Sequence, residues 1–240
     1  MVDITKPIRN GIKDVWWRPY MVSGAIFTHN DIPFCPTTAQ NVPDAIITYK
    51  EAKAIYSREL RKGNRDFHYS AFVCFYEDDW NFDSISGIWF RSSQAYKILR
   101  HFDGIITPDF STYQDFPYPI KLWNTYRMRA FGYWYGILCG GNVINNVRWG
   151  TSETFNYCFD GIPKNSIVAI GTNGGSPRYI VDRTRFEQGL MEMINVLSPH
   201  TIIVYGSANY NCFKELKTRG INIISYPSST SVYYARRAAV

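Results

Sequence analysis

Short apolar runs that alternate with helix-like patterns constrain the fold of this 240-residue chain more than any other feature of its sequence. Seven runs predict strands, at residues 44–49, 69–76, 103–111, 142–149, 166–171, 201–207 and 221–226. The runs are almost continuously apolar, as strands buried on both faces of a parallel sheet must be. The alternation therefore predicts an α/β fold with a parallel sheet of about seven βα units.

Helical patterns fill most of the gaps, at residues 50–63, 92–102, 119–138, 182–199 and 208–220. Thr184 and Glu187 predict a capping box at the start of the fourth helix. Residues 23–29 are the only candidate for the eighth strand that closure into a (β/α)-barrel requires. The sequence favours a barrel or near-barrel over an open doubly wound sheet, and both place ligands at the carboxyl ends of their strands.

Composition divides the chain into three parts. Residues 1–43 contain five prolines, which predicts an irregular N-terminal arm that covers one end of the fold. Residues 44–226 contain the predicted strands and helices and are interpreted as a single α/β domain. Residues 227–240 are a C-terminal tail for which no element is predicted.

Charge and aromatic content bear on the class of partner. The formal net charge is +6, and aromatic residues make up 17% of the chain. A positive excess favours polyanionic partners, and aromatic rings interleaved with arginine stack on bases, which points to a nucleotide or nucleic acid. The alternative, a bulky core with a sticky surface, is the favoured explanation of the aromatic content. The oligomeric state is not determined by the sequence.

The cysteines and histidines argue against disulfide and metal chemistry. The five cysteines have no C-x-x-C spacing, and four lie in or beside apolar runs, which indicates reduced, buried thiols. The four histidines are scattered, and the acidic run at 77–79 is more typical of a solvated loop than of a cation site. We therefore predict neither a metal nor a cofactor. Without a signal peptide or a long apolar segment, the chain is expected to be cytoplasmic, with no membrane contact.

Polar side chains follow the predicted strands at their carboxyl ends. The stretch NVINNVRWG, residues 142–150, ends an apolar run with Arg148, and Asp109 follows the third strand. Because consecutive parallel strands end at the same edge of a sheet, we expect these two residues to approach each other. Asp109 as a general base and Arg148 as the group that holds a phosphate form the predicted catalytic pair. An Asx turn at Asp109 and a structural ion pair at Arg148 are the alternatives.

Nine further residues are predicted to bind the ligand: Ser111, Asn124, Arg127, Asn146, Trp149, Thr172, Asn173, Tyr205 and Ser207. Asn124 and Arg127 share a helix face, and with Arg148 they would form a positive pocket for a phosphate. Thr172 and Asn173 belong to GTNGG, whose backbone amides can receive an anion although the segment lacks a phosphate-loop motif.

Several of these residues also have structural interpretations. Arg127 fits the solvent-facing side of an amphipathic helix, and Asn146 fits bonding to neighbouring backbone. Trp149 fits a packing role. Ser207 fits the N-cap of the next helix as well as it fits a catalytic nucleophile.

The segments ITPDFS, WNTYRMRAFGYW, NVINNVRWG, GIPKNSIVAIGTNG and TIIVYGS occur in this order. Together they resemble the bacterial and bacteriophage family catalogued as domain of unknown function 4417, over about residues 44–226. The resemblance implies a phage or mobile-element origin, and hence the cytoplasm of a host cell. It implies no activity and no catalytic residue.

Two classes of function fit the sequence. The first is a protein that binds a nucleotide or nucleic acid at the carboxyl ends of the sheet, either as a binder or as an enzyme acting on that ligand. The second is a non-catalytic phage protein that binds single-stranded nucleic acid in replication or occupies a host defence protein. A pocket that contains Asp109 and Arg148 favours the first, whereas a flat basic surface with exposed tryptophan or tyrosine favours the second.

Overall fold

A computed structural model describes residue 14 and residues 16–172 and 180–238. The strands of the described chain are β1 (Ile46–Thr48), β2 (Tyr69–Cys74), β3 (Phe102–Ile106), β4 (Val143–Asn146), β5 (Ile167–Gly171), β6 (Thr201–Tyr205) and β7 (Asn222–Tyr226). Its α-helices are α1 (Tyr49–Arg61), α2 (Ser92–Leu99), α3 (Tyr118–Tyr133), α4 (Ile180–Leu197), α5 (Asn211–Thr218) and α6 (Ser229–Ala238). A π-helical turn, Trp134–Leu138, continues α3.

The seven described strands lie in one parallel sheet, and their order in the sheet is their order in the chain. This is the order of a (β/α)-barrel, whereas a doubly wound sheet reverses its strand order. The sheet curls into a half-barrel whose edges are β1 and β7. The prediction of an α/β near-barrel is therefore confirmed.

Residues 23–29 do not close the barrel. Phe27 forms an isolated antiparallel bridge with Pro33 instead of joining the sheet. Ala25 and Phe27 pack against the core on the helical side, and the carbonyl of Ser23 accepts a hydrogen bond from the hydroxyl of Tyr133 in α3 at 3.2 Å. The candidate eighth strand is wrong, because its apolar side chains cover α3 rather than extend the sheet.

Side chains of the strands alternate between the two faces of the sheet. Val73 and Ile105 point outward and pack with Leu99 of α2 and Met128 of α3. Cys74, Ile106, Ile144 and Ala169 belong to a separate inner cluster that strand residues dominate. Burial of both faces explains why the strands read as continuous apolar runs.

The segment before β1 packs against the domain at several places. The backbone N–H groups of Thr38 and Ala39 donate to the carbonyl of Val143, at the amino end of β4, at 3.1 and 3.2 Å. The hydroxyl of Tyr226 in β7 donates to the carbonyl of Pro43, which bridges the open side of the half-barrel. These contacts leave the carboxyl ends of the central strands for other groups.

Two local predictions need correction. Helix α4 already includes Ile180, so Thr184 and Glu187 lie inside it and the predicted capping box is wrong. The fourth strand ends at Asn146 rather than at residue 149, so Arg148 and Trp149 belong to the following loop. In the described part of the chain, no helix is both long and apolar enough to cross a membrane.

Candidate functional site

Asn146, the last residue of β4, is the centre of a hydrogen-bond network at the carboxyl-end rim, which we define as the loops that follow β2 to β5. The hydroxyl of Tyr76, just after β2, donates to Asn146 Oδ1 at 2.9 Å. Asn146 Nδ2 donates to Asp109 Oδ1 at 2.8 Å. Tyr76 and Asn146 are buried, so these bonds fix the orientation of Asp109 in the loop after β3.

Arg148 lies on the other side of Asp109. Its Nη1 atom is 3.5 Å from Asp109 Oδ2, and the side chains of Arg148 and Asp109 are 17% and 12% exposed. The expected approach of the two residues is confirmed. Partial burial strengthens the attraction relative to a surface ion pair. Their catalytic roles stay predictions.

Two stacked tyrosines form the inner wall behind this network. The rings of Tyr76 and Tyr205 stack at 5.3 Å between centroids, and Gly171 leaves room for them, since a Cβ there would lie 2.7 Å from the Tyr76 ring. Burial raises the pKa of Tyr205 to about 12. Burial and then the Asp109 carboxylate raise the pKa of Tyr76 well above its usual value. Both phenols are therefore neutral at physiological pH.

Tyr205 is held by backbone contacts rather than presented at the rim. It is 2% exposed, and its hydroxyl accepts a hydrogen bond from the N–H of Ser229, at the start of α6, at 3.0 Å. The predicted ligand contact through Tyr205 therefore has no exposed surface in this arrangement.

A cavity of about 130 Å³ adjoins Arg148. Its buried walls include Val147 just after β4, Ile170 in β5 and Phe186 in α4. Its more exposed margin is polar and includes Arg148, Gln114, Asp182 and Arg185. The cavity thus combines apolar walls with a charged margin at the place where parallel α/β folds bind ligands.

Trp149 lines the same cavity and is wedged against α4. Its ring lies 5.5 Å from that of Phe186. Gly189 makes the close approach possible, because a Cβ at that position would lie 2.2 Å from the indole Nε1. Trp149 is therefore both a packing residue and a wall of the cavity.

Arg185 was not among the residues selected from the sequence. It donates a hydrogen bond from Nη1 to the side-chain oxygen of Gln114, in the loop after β3. The sequence could have predicted Arg185 as a site residue. The helix after β5 begins at the rim, so polar residues in its first turns lie there.

Arg127 and Asn124 form a second, buried cluster with the loop after β2, which we call the Arg127 cluster. Arg127 donates from Nη1 and Nη2 to the two carboxylate oxygens of Asp83 at 2.7 and 2.8 Å. Nη2 also donates to Asn124 Oδ1 at 2.6 Å, and the guanidinium lies 3.9 Å from the centroid of Phe110. Asn124 Nδ2 donates to the carbonyl of Ser111 at 2.5 Å. These contacts join Arg127 to its own cluster rather than to Arg148.

The remaining predicted ligand residues lie in different environments. Ser111 Oγ donates to Asp79 Oδ1 at 2.9 Å. Thr172 is 3% exposed, and its N–H donates to the carbonyl of Tyr205 at 3.0 Å. Ser207 is exposed and accepts from the N–H of Asn209 at 3.2 Å, and it does not cap α5, which begins at Asn211. Asn173 lies outside the described residues.

Arg129, which was not among the predicted site residues, anchors the carboxyl end of β4. It is fully buried, and its guanidinium donates to the carbonyls of Asp160, Asn146 and Cys158 at 2.9 to 3.0 Å. Burial lowers the pKa of Arg129 to about 10. The residue therefore stays charged at neutral pH and ties the Asn146 backbone to the loop at 158–160.

Among the residues that the structure describes, no group of three His, Cys, Asp or Glu side chains is placed to hold a metal ion. Burial raises the pKa of the Asp79 carboxyl, and the nearby carboxylates of Asp109 and Asp83 add to the effect. The five cysteines are unpaired thiols, and their redox state in solution stays a prediction.

The fold and the rim together define a half-barrel α/β protein with a small charged cavity at the carboxyl ends of its strands. The chain belongs to the family described as Domain of unknown function (DUF4417), whose model matches residues 28–227. The match begins within the segment predicted as an arm. No solved structure matches the chain.

Two curated relatives are phage proteins. The chain is 34% identical to the Gene 1 protein of Mycobacterium phage D29 over 137 residues, which are 57% of this chain and 48% of that protein. It is 35% identical to the Gene 1 protein of Mycobacterium phage L5 over 137 residues, which are 57% of each chain. The chain therefore spans about half the length of the curated relatives it matches. These likenesses support the expected phage origin.

Proposed function

We propose that the cavity beside Arg148 binds a phosphate-bearing ligand, either a nucleotide or a segment of nucleic acid. One observation carries the proposal: Arg148 and Arg185, from different elements, border a single cavity at the carboxyl-end rim. Planar guanidinium groups bind phosphate oxygens through paired hydrogen bonds. An aromatic wall, Trp149, in the same cavity suits the base or sugar of such a ligand.

The surrounding network supports binding more strongly than catalysis. The Tyr76–Asn146–Asp109 chain orients the carboxylate that pairs with Arg148. Asp109 does not itself belong to the described lining of the cavity. A general-base role for Asp109 therefore requires a ligand that reaches past Arg148, and binding is the primary function proposed here.

Isothermal titration of the whole chain with the four ribonucleoside monophosphates and with a short single-stranded oligonucleotide tests the proposal. We expect at least one of these ligands to bind, and Arg148→Ala to weaken its binding by about tenfold or more, roughly 1.4 kcal/mol. Arg219→Ala is the matched control, because Arg219 follows α5 on the amino-end side of the sheet and is exposed. The absence of binding by every ligand would contradict the proposal.

A second candidate is a protein partner that docks on the loop after β2. Trp80 and Ile85 are 88% and 84% exposed in this loop. The acidic neighbours Asp78 and Asp79 oppose a polyanion there and favour a partner that combines apolar and basic groups. Co-purification of a host protein that depends on Trp80 but not on Arg148 would support this candidate, and loss of nucleotide binding in Trp80→Ala would oppose it.

A further inference from the structure

We infer that the cavity receives a single six-membered ring, the pyrimidine base of a nucleotide, while the phosphate remains at its charged margin. This inference rests on the proposed function and specifies how the ligand is divided between the two parts of the site. Three features carry it: the size of the cavity, the chemistry of its walls, and the groups at its margin.

Size limits what can enter. The cavity measures about 130 Å³. A protein cavity of about 150 Å³ holds a benzene molecule, whereas sites for whole drug-sized ligands measure roughly 300–1,000 Å³. The space between the walls therefore matches a single ring, and a complete nucleotide must extend beyond it. The fused rings of a purine exceed the space that a pyrimidine fills.

The walls select a flat, weakly polar group rather than a phosphate. Val147, Ile170 and Phe186 line the cavity and are 2%, 1% and 6% exposed. A phosphate placed against these side chains would lose its hydration without replacement hydrogen bonds. A base loses far less, and its face can stack on the indole of Trp149.

Trp149 is suited to this role because its position is fixed. The ring packs against one face of α4, on Phe186 and on the backbone of Gly189, where no Cβ intervenes. A wall that is ordered before the ligand arrives loses little conformational freedom on binding.

The margin supplies groups for the base edge and for the phosphate. Asp182 offers carboxylate oxygens to the N–H groups of a pyrimidine. Gln114 accepts from Arg185 through its oxygen, and its amide nitrogen still has N–H donors for a ring oxygen or nitrogen. Arg148 and Arg185 stay at the margin, where a phosphate keeps part of its hydration.

The inference is tested by titrating the whole chain with cytidine monophosphate, adenosine monophosphate, cytidine and inorganic phosphate. We expect cytidine monophosphate to bind about tenfold or more tightly than adenosine monophosphate, and cytidine to bind measurably without a phosphate. Trp149→Leu should lower the affinity for cytidine and for its monophosphate by roughly tenfold. Trp16→Leu is the control, because Trp16 is 66% exposed and lies on the N-terminal segment away from the cavity. Arg148→Ala should lower the affinity for the monophosphate and leave that for cytidine unchanged.

Because Trp149 also packs against α4, Asp182→Asn provides a second variant at a site that contributes less to the core. It should weaken cytidine binding while the melting temperature stays close to that of the wild type. Equal binding of the two monophosphates and of inorganic phosphate, with no binding of cytidine, would overturn the inference and leave the proposed function standing. If none of the four ligands binds, the inference fails, and the proposed function fails with it when the other two monophosphates and the oligonucleotide do not bind either.

Discussion

Two arginines predicted to hold a phosphate together occupy different environments at the same rim. Arg127 has three hydrogen bonds from its terminal nitrogens to Asp83 and Asn124, and its guanidinium covers the ring of Phe110. Arg148 lies 3.5 Å from the Asp109 carboxylate and borders a cavity. The charge of Arg127 is used within the fold. The charge of Arg148 lies beside a cavity, where a ligand can reach it.

The difference follows from what each arginine packs against. The loop after β2 brings Asp83 to Arg127 in α3. The Asp83 carboxylate therefore occupies the hydrogen-bond donors that a ligand phosphate would use. In the loop after β4, the missing side chain of Gly189 lets Trp149 pack closely against α4, and Trp149 and Arg148 line the same cavity. Substitutions that alter one of the two regions at a time test this difference.

The largest expected effect is on stability, from Arg127→Ala. Removing the guanidinium leaves the largely buried Asp83 carboxylate without its partner, which should cost about 3 kcal/mol of unfolding free energy. Urea unfolding followed by circular dichroism measures the change. The folded fraction of this variant should bind nucleotide as the wild type does. A loss below about 1 kcal/mol would show that the pair behaves like a surface ion pair.

Gly189→Ala should have an intermediate effect on both stability and binding. A Cβ at this position would lie 2.2 Å from the indole nitrogen of Trp149. Overpacking of this kind costs about 1–3 kcal/mol, and the higher helix propensity of alanine offsets up to about 1 kcal/mol of it. We expect a lower melting temperature together with weaker nucleotide binding, because Trp149 must move. Gln188→Ala, an exposed change in the same helix, should leave both unchanged.

The smallest expected effect concerns Asp79, which lies between the two regions and accepts a hydrogen bond from Ser111. The pKa of this carboxyl is raised in the folded protein by burial and by neighbouring carboxylates. The folded state therefore binds a proton more tightly than the unfolded state does. The resulting stability is present below the unfolded-state pKa and is lost as the pH rises through the folded-state pKa.

Asp79→Asn keeps an oxygen that can accept from Ser111 and removes the charge. The variant should therefore be at least as stable as the wild type at neutral pH, and its unfolding free energy should vary less with pH across the mildly acidic range. Denaturant unfolding at several pH values measures this. A variant that is clearly less stable at neutral pH would mean that the charged form of Asp79 is favoured in the fold.

The strands were predictable because burial of both sheet faces requires continuous apolar runs in the sequence. The predicted strands at residues 201–207 and 221–226, for example, nearly match the bounds of β6 and β7. Residues 23–29 are also an apolar run, but they cover α3. An apolar pattern predicts that a segment is buried and does not predict which element it packs against.

The site was predictable only as far as local geometry extends. The i, i+3 spacing of Asn124 and Arg127 placed them on one face, and they do form a hydrogen bond. Which way that face points depends on Asp83, in a different loop. The cavity likewise depends on Arg185 and Gln114, which are 71 positions apart in the chain and meet only when the sheet has formed.

We propose that Arg127 stabilises the fold and that Arg148 binds a ligand. The decisive measurement is the unfolding free energy with and without cytidine monophosphate for the wild type, Arg127→Ala and Arg148→Ala. We predict that Arg127→Ala is strongly destabilised and keeps the gain from the ligand, roughly 2.7 kcal/mol at a hundredfold excess over its dissociation constant. Arg148→Ala should lose that gain. Without ligand it should lose less stability than Arg127→Ala, because its contact with Asp109 is longer, at 3.5 Å, and Asp109 keeps its hydrogen bond from Asn146. The account is contradicted if Arg148→Ala unfolds as easily as Arg127→Ala, or if it keeps the full gain.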